Sequence, residues 1–286
     1  MRSNAGFCVG SRVLKDKRGI AVSVAGTLEI KSVSKSYPVG RNRWLDVLSE
    51  VSFDVRSGHF LSLVGPSGCG KSTLLRLIVG LDTDYEGDIF LHGERIAGPS
   101  LARGVVFQSH RLLPWLTIGQ NIALSLENTD WSTEAKKETI RELIALVGIA
   151  GFEKAYPHQL SGGMAQRAAI ARALANKPEI LLLDEPLSSL DAITRMRLQD
   201  ELLRIWRTEG SSIILVTHDV DEAIYLSNEI VVMSADGRIA KRFAISSPLP
   251  RDRASNEFIE LKRLVLTELH LYQQRNDTAH DMGMFI

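Results

Sequence analysis

Residues Gly65-Pro66-Ser67-Gly68-Cys69-Gly70-Lys71-Ser72-Thr73 constrain this chain more than any other stretch. They fit G-x-x-x-x-G-K-[ST] at every fixed position, and they stand where that pattern has meaning, between a strand and a helix. Phe60-Leu61-Ser62-Leu63-Val64 reads as a buried strand, and Leu74-Leu75-Arg76-Leu77-Ile78 opens a helix. Glycines let the backbone bend around an anion and turn successive N–H groups inward. The helix N-terminus adds the positive end of its dipole. In such a loop Lys71 reaches the β- and γ-phosphates, and the Ser72 hydroxyl ligates Mg²⁺. A glycine-rich turn that binds nothing would not need the strand, the Lys-Ser pair and the helix together. The stretch predicts a site for a nucleoside triphosphate.

At 286 residues and 44% hydrophobic content the chain has ample material for a core. No run approaches the ~18 apolar residues of a membrane span. Lys+Arg and Asp+Glu both number 34, so nothing in the charge balance points to nucleic acid or anionic lipid as a partner. Cys8 and Cys69 do not make a disulfide framework, which fits a reducing cytosol. Residues 1–26 are polar and basic with no signal-peptide core, and they read as a flexible extension.

Further along, Leu28-Glu29-Ile30 begins an alternating strand. Leu45, Val47 and Leu48 suggest a second, and Val51-Ser52-Phe53-Asp54-Val55 another, together a small antiparallel sheet. The loop Ser36-Tyr37-Pro38-Val39-Gly40 lies between them. Tyr37 there is either packing or a ring on which a purine can lie, and its position leaves both open. Asp88-Ile89-Phe90-Leu91 reads as a strand ending in the turn at His92-Gly93, and Gly104-Val105-Val106-Phe107 as a buried one finishing on Gln108. Helices are expected over 132–147, with Ser132 or Thr133 as N-cap, over 164–176, and over 192–208. Buried strands are expected at Ile180-Leu181-Leu182-Leu183, ending on Asp184-Glu185, and over 212–217, ending on His218-Asp219. Glu229-Ile230-Val231-Val232-Met233 is one more strand. After Pro250 come a linker, an amphipathic helix with Phe258, Leu261, Val265 and Leu269 on one stripe, and a disordered tail from Gln273.

Four uninterrupted apolar strands thus finish on a polar feature: the phosphate loop, Gln108, Asp184-Glu185 and His218. Apolar strands separated by helices describe a parallel sheet, whose ligands bind at the carboxyl ends of the strands. These residues should therefore converge on one nucleotide. Asp184 would hold Mg²⁺, and Glu185 stands where a general base must polarise the attacking water. His218 either packs, bonds the γ-phosphate or orients the water. Gln108 contacts Mg²⁺ or the water. Ser161-Gly162-Gly163 is a second N–H-rich helix start. The phosphates of this chain's own nucleotide are already surrounded by the phosphate loop. The economical reading gives the second site to the nucleotide of another copy, in a two-fold dimer.

The order phosphate loop, Gln108, Leu160-Ser161-Gly162-Gly163-Met164-Ala165-Gln166-Arg167, the strand through Asp184-Glu185, Ser189-Leu190-Asp191 and His218 resembles the ATP-binding subunit of ABC transporters across about residues 27–250. The resemblance implies an α/β fold: a P-loop NTPase core with a mostly parallel sheet, an antiparallel β subdomain and an α-helical signature subdomain. It implies that Tyr37 stacks on adenine and that Ser161-Gly162-Gly163 contacts ATP across the dimer. It further implies that Asp191 links the two sites and that His218 senses the γ-phosphate. Met164 stands where many members carry glutamine; Ser161 and the backbone N–H groups remain. Arg111-Leu112-Leu113-Pro114-Trp115, Leu198-Gln199-Asp200-Glu201-Leu202 and the stretch from Val216 through Ala223 look like the bacterial nitrate, alkanesulfonate and taurine importers.

The expected organisation is an extension (1–26), an ATP-binding domain (27–250) and a C-terminal linker, helix and tail (251–286). The expected cofactors are ATP and Mg²⁺. Expected partners are transmembrane permease subunits, a substrate-binding protein reached through the complex and a second copy of this chain, at the cytoplasmic face of the membrane, with no nucleic acid. The rival class is a soluble ABC-type ATPase acting on DNA or ribosomes. The span from Gln108 to Ser161 is short and without sustained heptads, and the chain carries one cassette. Both features argue against that rival.

Overall fold

The computed structural model describes residues 13–15, 21–23, 28–40, 43–188 and 190–282. Cys8, Ser189 and most of the expected extension lie outside the described residues. Within that extension β1 (Val13–Lys15) and β2 (Ala21–Ser23) pair antiparallel. The remaining strands are β3 (Leu28–Pro38), β4 (Trp44–Val55), β5 (Phe60–Val64), β6 (Glu86–Leu91), β7 (Glu94–Arg95), β8 (Arg103–Val106), β9 (Ile180–Asp184), β10 (Ser212–Thr217), β11 (Glu229–Met233) and β12 (Ile239–Ala244). The helices are α1 (Lys71–Val79), α2 (Ile118–Leu124), α3 (Thr133–Leu146), α4 (Gly162–Leu174), α5 (Ala192–Glu209), α6 (Val220–Leu226) and α7 (Asn256–Met282).

The central sheet has the order β12-β11-β5-β10-β9-β8, with only β12 antiparallel to its neighbour. Period two along its strands divides the core. Phe60 and Val64 of β5, with Leu181 and Leu183 of β9, face the layer built from α2 to α7. Leu61, Leu63, Ile180 and Leu182 face α1 and the second sheet, β4-β3-β6-β7. Both faces are thus covered, which is why these strands are apolar without interruption.

Register aligns the strand ends. Val64 of β5 pairs with Thr217 of β10, Val216 with Asp184 of β9, and Leu183 with Val106 of β8. The residues that follow are the phosphate loop, His218, Glu185 and Gln108, so all four leave the sheet along one edge.

Several boundaries differ from the sequence reading. The two strands expected between Leu45 and Val55 are one, β4; Ser32 and Glu50, at φ 48° and 50°, absorb register shifts that let pairing continue. Tyr37 is on β3, paired with Leu45, not in a loop. The helix α2 is short, but its capping box, Thr117 with Gln120, marks its start in the sequence. The helix α6 was not anticipated either. The strand β12 pairs only with β11 and carries Lys241 and Arg242, the composition of a protected edge. The tail expected from Gln273 is helical to Met282, since no glycine or proline interrupts it. Among the described residues no helix is long and apolar enough to cross a membrane.

Candidate active site

The phosphate loop is shaped by what surrounds it. Gly70 is the N-cap of α1 at φ 95° and supplies no side-chain cap, so the first-turn N–H groups stay available to phosphate oxygens. A Cβ at Gly70 would lie 2.6 Å from the Val47 carbonyl oxygen and 2.7 Å from Leu48 Cδ2, so space and backbone both demand glycine. Lys71 is buried, and its Nζ donates to the carbonyls of Gly65 and Pro66 at 2.8 Å each. The ammonium therefore lies within the curl of the loop. Ser67 and Gly68 form its exposed crest, while Cys69 is buried and its thiol is pushed up by that burial, which makes it a packing residue. Thr73 follows Ser72 in the first turn of α1.

Ser72 Oγ donates to Asp184 Oδ1 at 2.9 Å, joining α1 to the end of β9. Among the described residues no group of three or more His, Cys, Asp or Glu side chains is arranged to hold a metal. Mg²⁺ on a nucleotide takes one or two protein oxygens beside phosphates and water, and this hydroxyl-carboxylate pair fits that demand. Burial raises the Asp184 pKa, and the charge of Glu185 raises it further, against the Ser72 hydrogen bond and the charges of Lys71 and Arg111. A raised pKa means that the folded protein holds this proton more tightly than the unfolded chain. The ionised carboxylate therefore costs stability above the raised value, and that cost vanishes as pH falls through it. We expect Asp184→Asn to raise the Tm of the nucleotide-free protein at neutral pH, with the gap closing in acid towards the ordinary 3.8 of the group. A lower Tm at neutral pH, measured by calorimetry, would refute this.

Glu185 takes φ 45°, a left-handed conformation costing a non-glycine residue about 1–2 kcal/mol. Its N–H donates to the Val216 carbonyl at 2.9 Å, so the neighbouring strand holds the turn. The carboxylate then meets both flanking strand ends. Gln108 Nε2 donates to Glu185 Oε2 at 3.3 Å, and His218 Nδ1 stands 3.3 Å from Glu185 Oε1. Gln108 also donates to Ser188 Oγ at 3.3 Å. The structure gives Gln108 no hydrogen bond to Ser72 or Asp184, so within this chain it belongs with Glu185. His218 is the more exposed of the pair. One carboxylate, oriented by an amide and an imidazole beside a phosphate loop, is an arrangement able to hold a water and take its proton.

Three other groups stand apart from this cluster. Tyr37 donates its hydroxyl to Asp82 Oδ2 at 3.1 Å, and Lys35 Nζ lies 4.8 Å from its ring centroid. Its cross-strand partner Leu45 is two residues before Val47, whose carbonyl packs against Gly70 of the loop. Ser161 caps α4, accepting from Met164 N at 3.3 Å, and a Cβ at Gly163 would lie 2.8 Å from Thr194 Cγ2, so α5 lies tight against this turn. No described hydrogen bond or ion pair joins Ser161, Gly162 or Gly163 to the phosphate loop. Asp191 caps α5 by accepting from Ile193 N and Thr194 N at 3.1 and 3.0 Å. A hydrogen bond with the Thr194 side chain, then those from the backbone N–H groups, hold its carboxyl below the usual range.

The sequence reading missed residues that act through these. Lys35 and Asp82 fix Tyr37, and Ser188 shares Gln108. Asn121, fully buried, accepts from Leu113 N at 2.7 Å and donates to the carbonyls of Leu113, Leu116 and Thr117, pinning the apolar loop after Gln108. In that loop Leu112 is buried in the core and Trp115 is 69% exposed. The N-cap of α3 was legible because it is a local pattern. Lys35–Asp82 and Gln108–Glu185 carry no sequence signal of their own.

Comparison with known proteins shows the family. A family model described as ABC transporter matches residues 48–188, which hold the phosphate loop, Gln108, Ser161-Gly162-Gly163 and Asp184-Glu185. The chain is 49% identical over 243 residues to the aliphatic sulfonates import ATP-binding protein SsuB of Bacillus cereus (strain ATCC 10987), covering 85% of this chain and 95% of that one. To the protein of the same name from Bacillus subtilis (strain 168) it is 48% identical over 261 residues, covering 91% and 99%. A solved dimeric, post-hydrolysis structure of the ATP-binding cassette MJ0796 bound to ADP and Pi superposes with TM-score 0.69 at 31% identity, over 77% of this chain and all of that one.

Proposed function

The chain belongs to the family of ABC transporter ATP-binding subunits, and from that membership we propose that it is the motor of an importer for small organic anions of the sulfonate class. It hydrolyses ATP as a dimer, peripheral to a membrane whose permease subunits it drives. The observation that carries the reading is the convergence of Gln108, Glu185 and His218 beside the phosphate loop, with Ser161-Gly162-Gly163 standing apart. The span from Gln108 to Ser161 holds α2, α3 and short connections, and nothing in it favours a DNA- or ribosome-directed ATPase.

In this reading Lys71 and the loop N–H groups bind the β- and γ-phosphates, and Tyr37 stacks on adenine. Ser72 and Asp184, with Gln108 at the same edge, would hold Mg²⁺, which when bound neutralises charge on the phosphate oxygens. Glu185 takes the proton of the attacking water while Gln108 and His218 orient it. Ser161-Gly162-Gly163 of a second copy closes on the nucleotide, and Asp191 links the two sites. A substrate-binding protein delivers the anion to the permease from the other side of the membrane. The loop from Leu113 to Leu116, held by Asn121 and presenting Trp115, receives a segment of the permease on the cytoplasmic face.

Vesicles reconstituted with this subunit, its membrane partners and the binding protein should take up a labelled alkanesulfonate when ATP is supplied, in preference to nitrate. Trp115→Ala and Leu113→Asp should lower uptake at least about tenfold, the effect of losing one interface hot spot. Both should keep the basal ATPase rate of the isolated subunit. Uptake absent from the parent complex, with ATPase stimulated by DNA or ribosomes instead, would overturn the reading. Normal assembly and uptake in Leu113→Asp would move the docking surface elsewhere.

A further inference from the structure

Lys35 is a buried cation that the catalytic cluster does not use. It lies in β3 with 4% of its side chain exposed, yet it is no core residue by chemistry. A buried ammonium is tolerated only where acceptors replace its water. Here they come from the segment that follows α1. Lys35 Nζ donates to Asp82 Oδ1 at 3.3 Å, to Asp84 Oδ2 at 3.2 Å and to the Asp84 carbonyl. Burial alone would lower the Lys35 pKa, but hydrogen bonds to Asp84 and Asp82 outweigh it, and the group stays charged.

The same cluster immobilises Tyr37. Asp82 uses its second oxygen, Oδ2, to accept the Tyr37 hydroxyl at 3.1 Å, while its Oδ1 also accepts from Asp84 N at 3.1 Å. Lys35 Nζ stands 4.8 Å from the ring centroid, within cation–π range. The ring is thus held at its tip by Asp82 and on one face by Lys35. Asp82 follows Gly80, the C-cap of α1, and α1 begins at the phosphate loop. Helix α1 therefore joins the phosphate site at one end to the support of Tyr37 at the other.

We propose that Lys35 and Asp82 are positioning residues for the purine base, holding the Tyr37 ring in its stacking orientation before nucleotide arrives. The proposal rests on the reading of Tyr37 as the adenine platform. A ring fixed in advance loses less freedom on binding, and a cation over one face leaves the other to the base. The consequence is selective: contacts to the base strengthen, and contacts to the phosphates do not change.

The test compares Mg-ADP with Mg-pyrophosphate, which lacks base and ribose, by titration calorimetry on the full chain. ADP is used because it does not require the closed dimer. Lys35→Met, Asp82→Asn and Tyr37→Phe should each raise the Kd for ADP by about three- to tenfold, the effect of freeing one side chain, with pyrophosphate unchanged. Tyr37→Phe keeps the ring and removes only the bond to Asp82, and with Asp82→Asn it serves if Lys35→Met fails to fold. Adding Asp82→Asn to Tyr37→Ala should cost nothing further, since the ring being positioned is gone. Equal losses for ADP and pyrophosphate, or additivity on the Tyr37→Ala background, would reduce Lys35 and Asp82 to general structural residues and overturn the proposal. Unchanged ADP affinity in Lys35→Met and Asp82→Asn, with a loss in Tyr37→Ala, would overturn it while sparing the adenine platform. Unchanged ADP affinity in Tyr37→Ala would overturn both.

Discussion

Glu185→Gln is expected to bind ATP at least as well as the parent protein while losing about 10²–10⁴-fold in turnover, the range for removing a positioned general base. Glutamine keeps the shape and still accepts from Gln108, so the turn held by the Val216 carbonyl should persist. What disappears is the charge proposed to take the proton, which faces His218 at 3.3 Å. The left-handed backbone at Glu185 supports this assignment, because strain of that kind persists only where the surroundings enforce a required direction. Lys71→Ala is the contrasting variant. It removes the ammonium from the curl of the loop, so its loss should fall on ATP affinity. Single-turnover hydrolysis with equilibrium nucleotide binding separates the two. Hydrolysis at the parent rate in Glu185→Gln would show that another group takes the proton.

Ser161→Arg should abolish the ATP-dependent dimer while the monomer still binds ATP. Ser161 is exposed at the start of α4, and Gly163 beside it is packed against Thr194 of α5, so the turn has a fixed shape but no ligand from its own chain. In the proposed dimer an arginine there would project bulk into the space that the second copy's nucleotide enters. The lost N-cap costs about 1 kcal/mol, which the fold should tolerate. In the Glu185→Gln background, light scattering should give a dimer mass with ATP and a monomer mass without it. With Ser161→Arg added, the mass should stay that of a monomer at every ATP concentration. A dimer that survives the substitution would remove Ser161-Gly162-Gly163 from the interface.

Much of this site could be read before any coordinates, and the parts that could not share a cause. The phosphate loop, the N-cap Ser132, the N–H-rich helix start at Ser161-Gly162-Gly163, and the buried strands β5, β9 and β10 are written in residues a few positions apart. Turn geometry, capping and burial on both faces act at that range, so composition and spacing suffice to specify them. Short elements such as α6 carry too few residues for a period to show. Gln108 meets Glu185 from 77 positions away, and Lys35 meets Asp82 from 47. The first meeting depends on β8 lying beside β9 in a register that ends the two strands together, and the second on α1 packing against the sheet that holds β3. Tyr37 shows the difference most plainly. Its sequence neighbourhood resembles a loop and leaves its role open, whereas pairing with Leu45 and the bond to Asp82 give its ring one orientation. Local chemistry chose which groups the protein has; the packing of distant strands and helices set which of them touch.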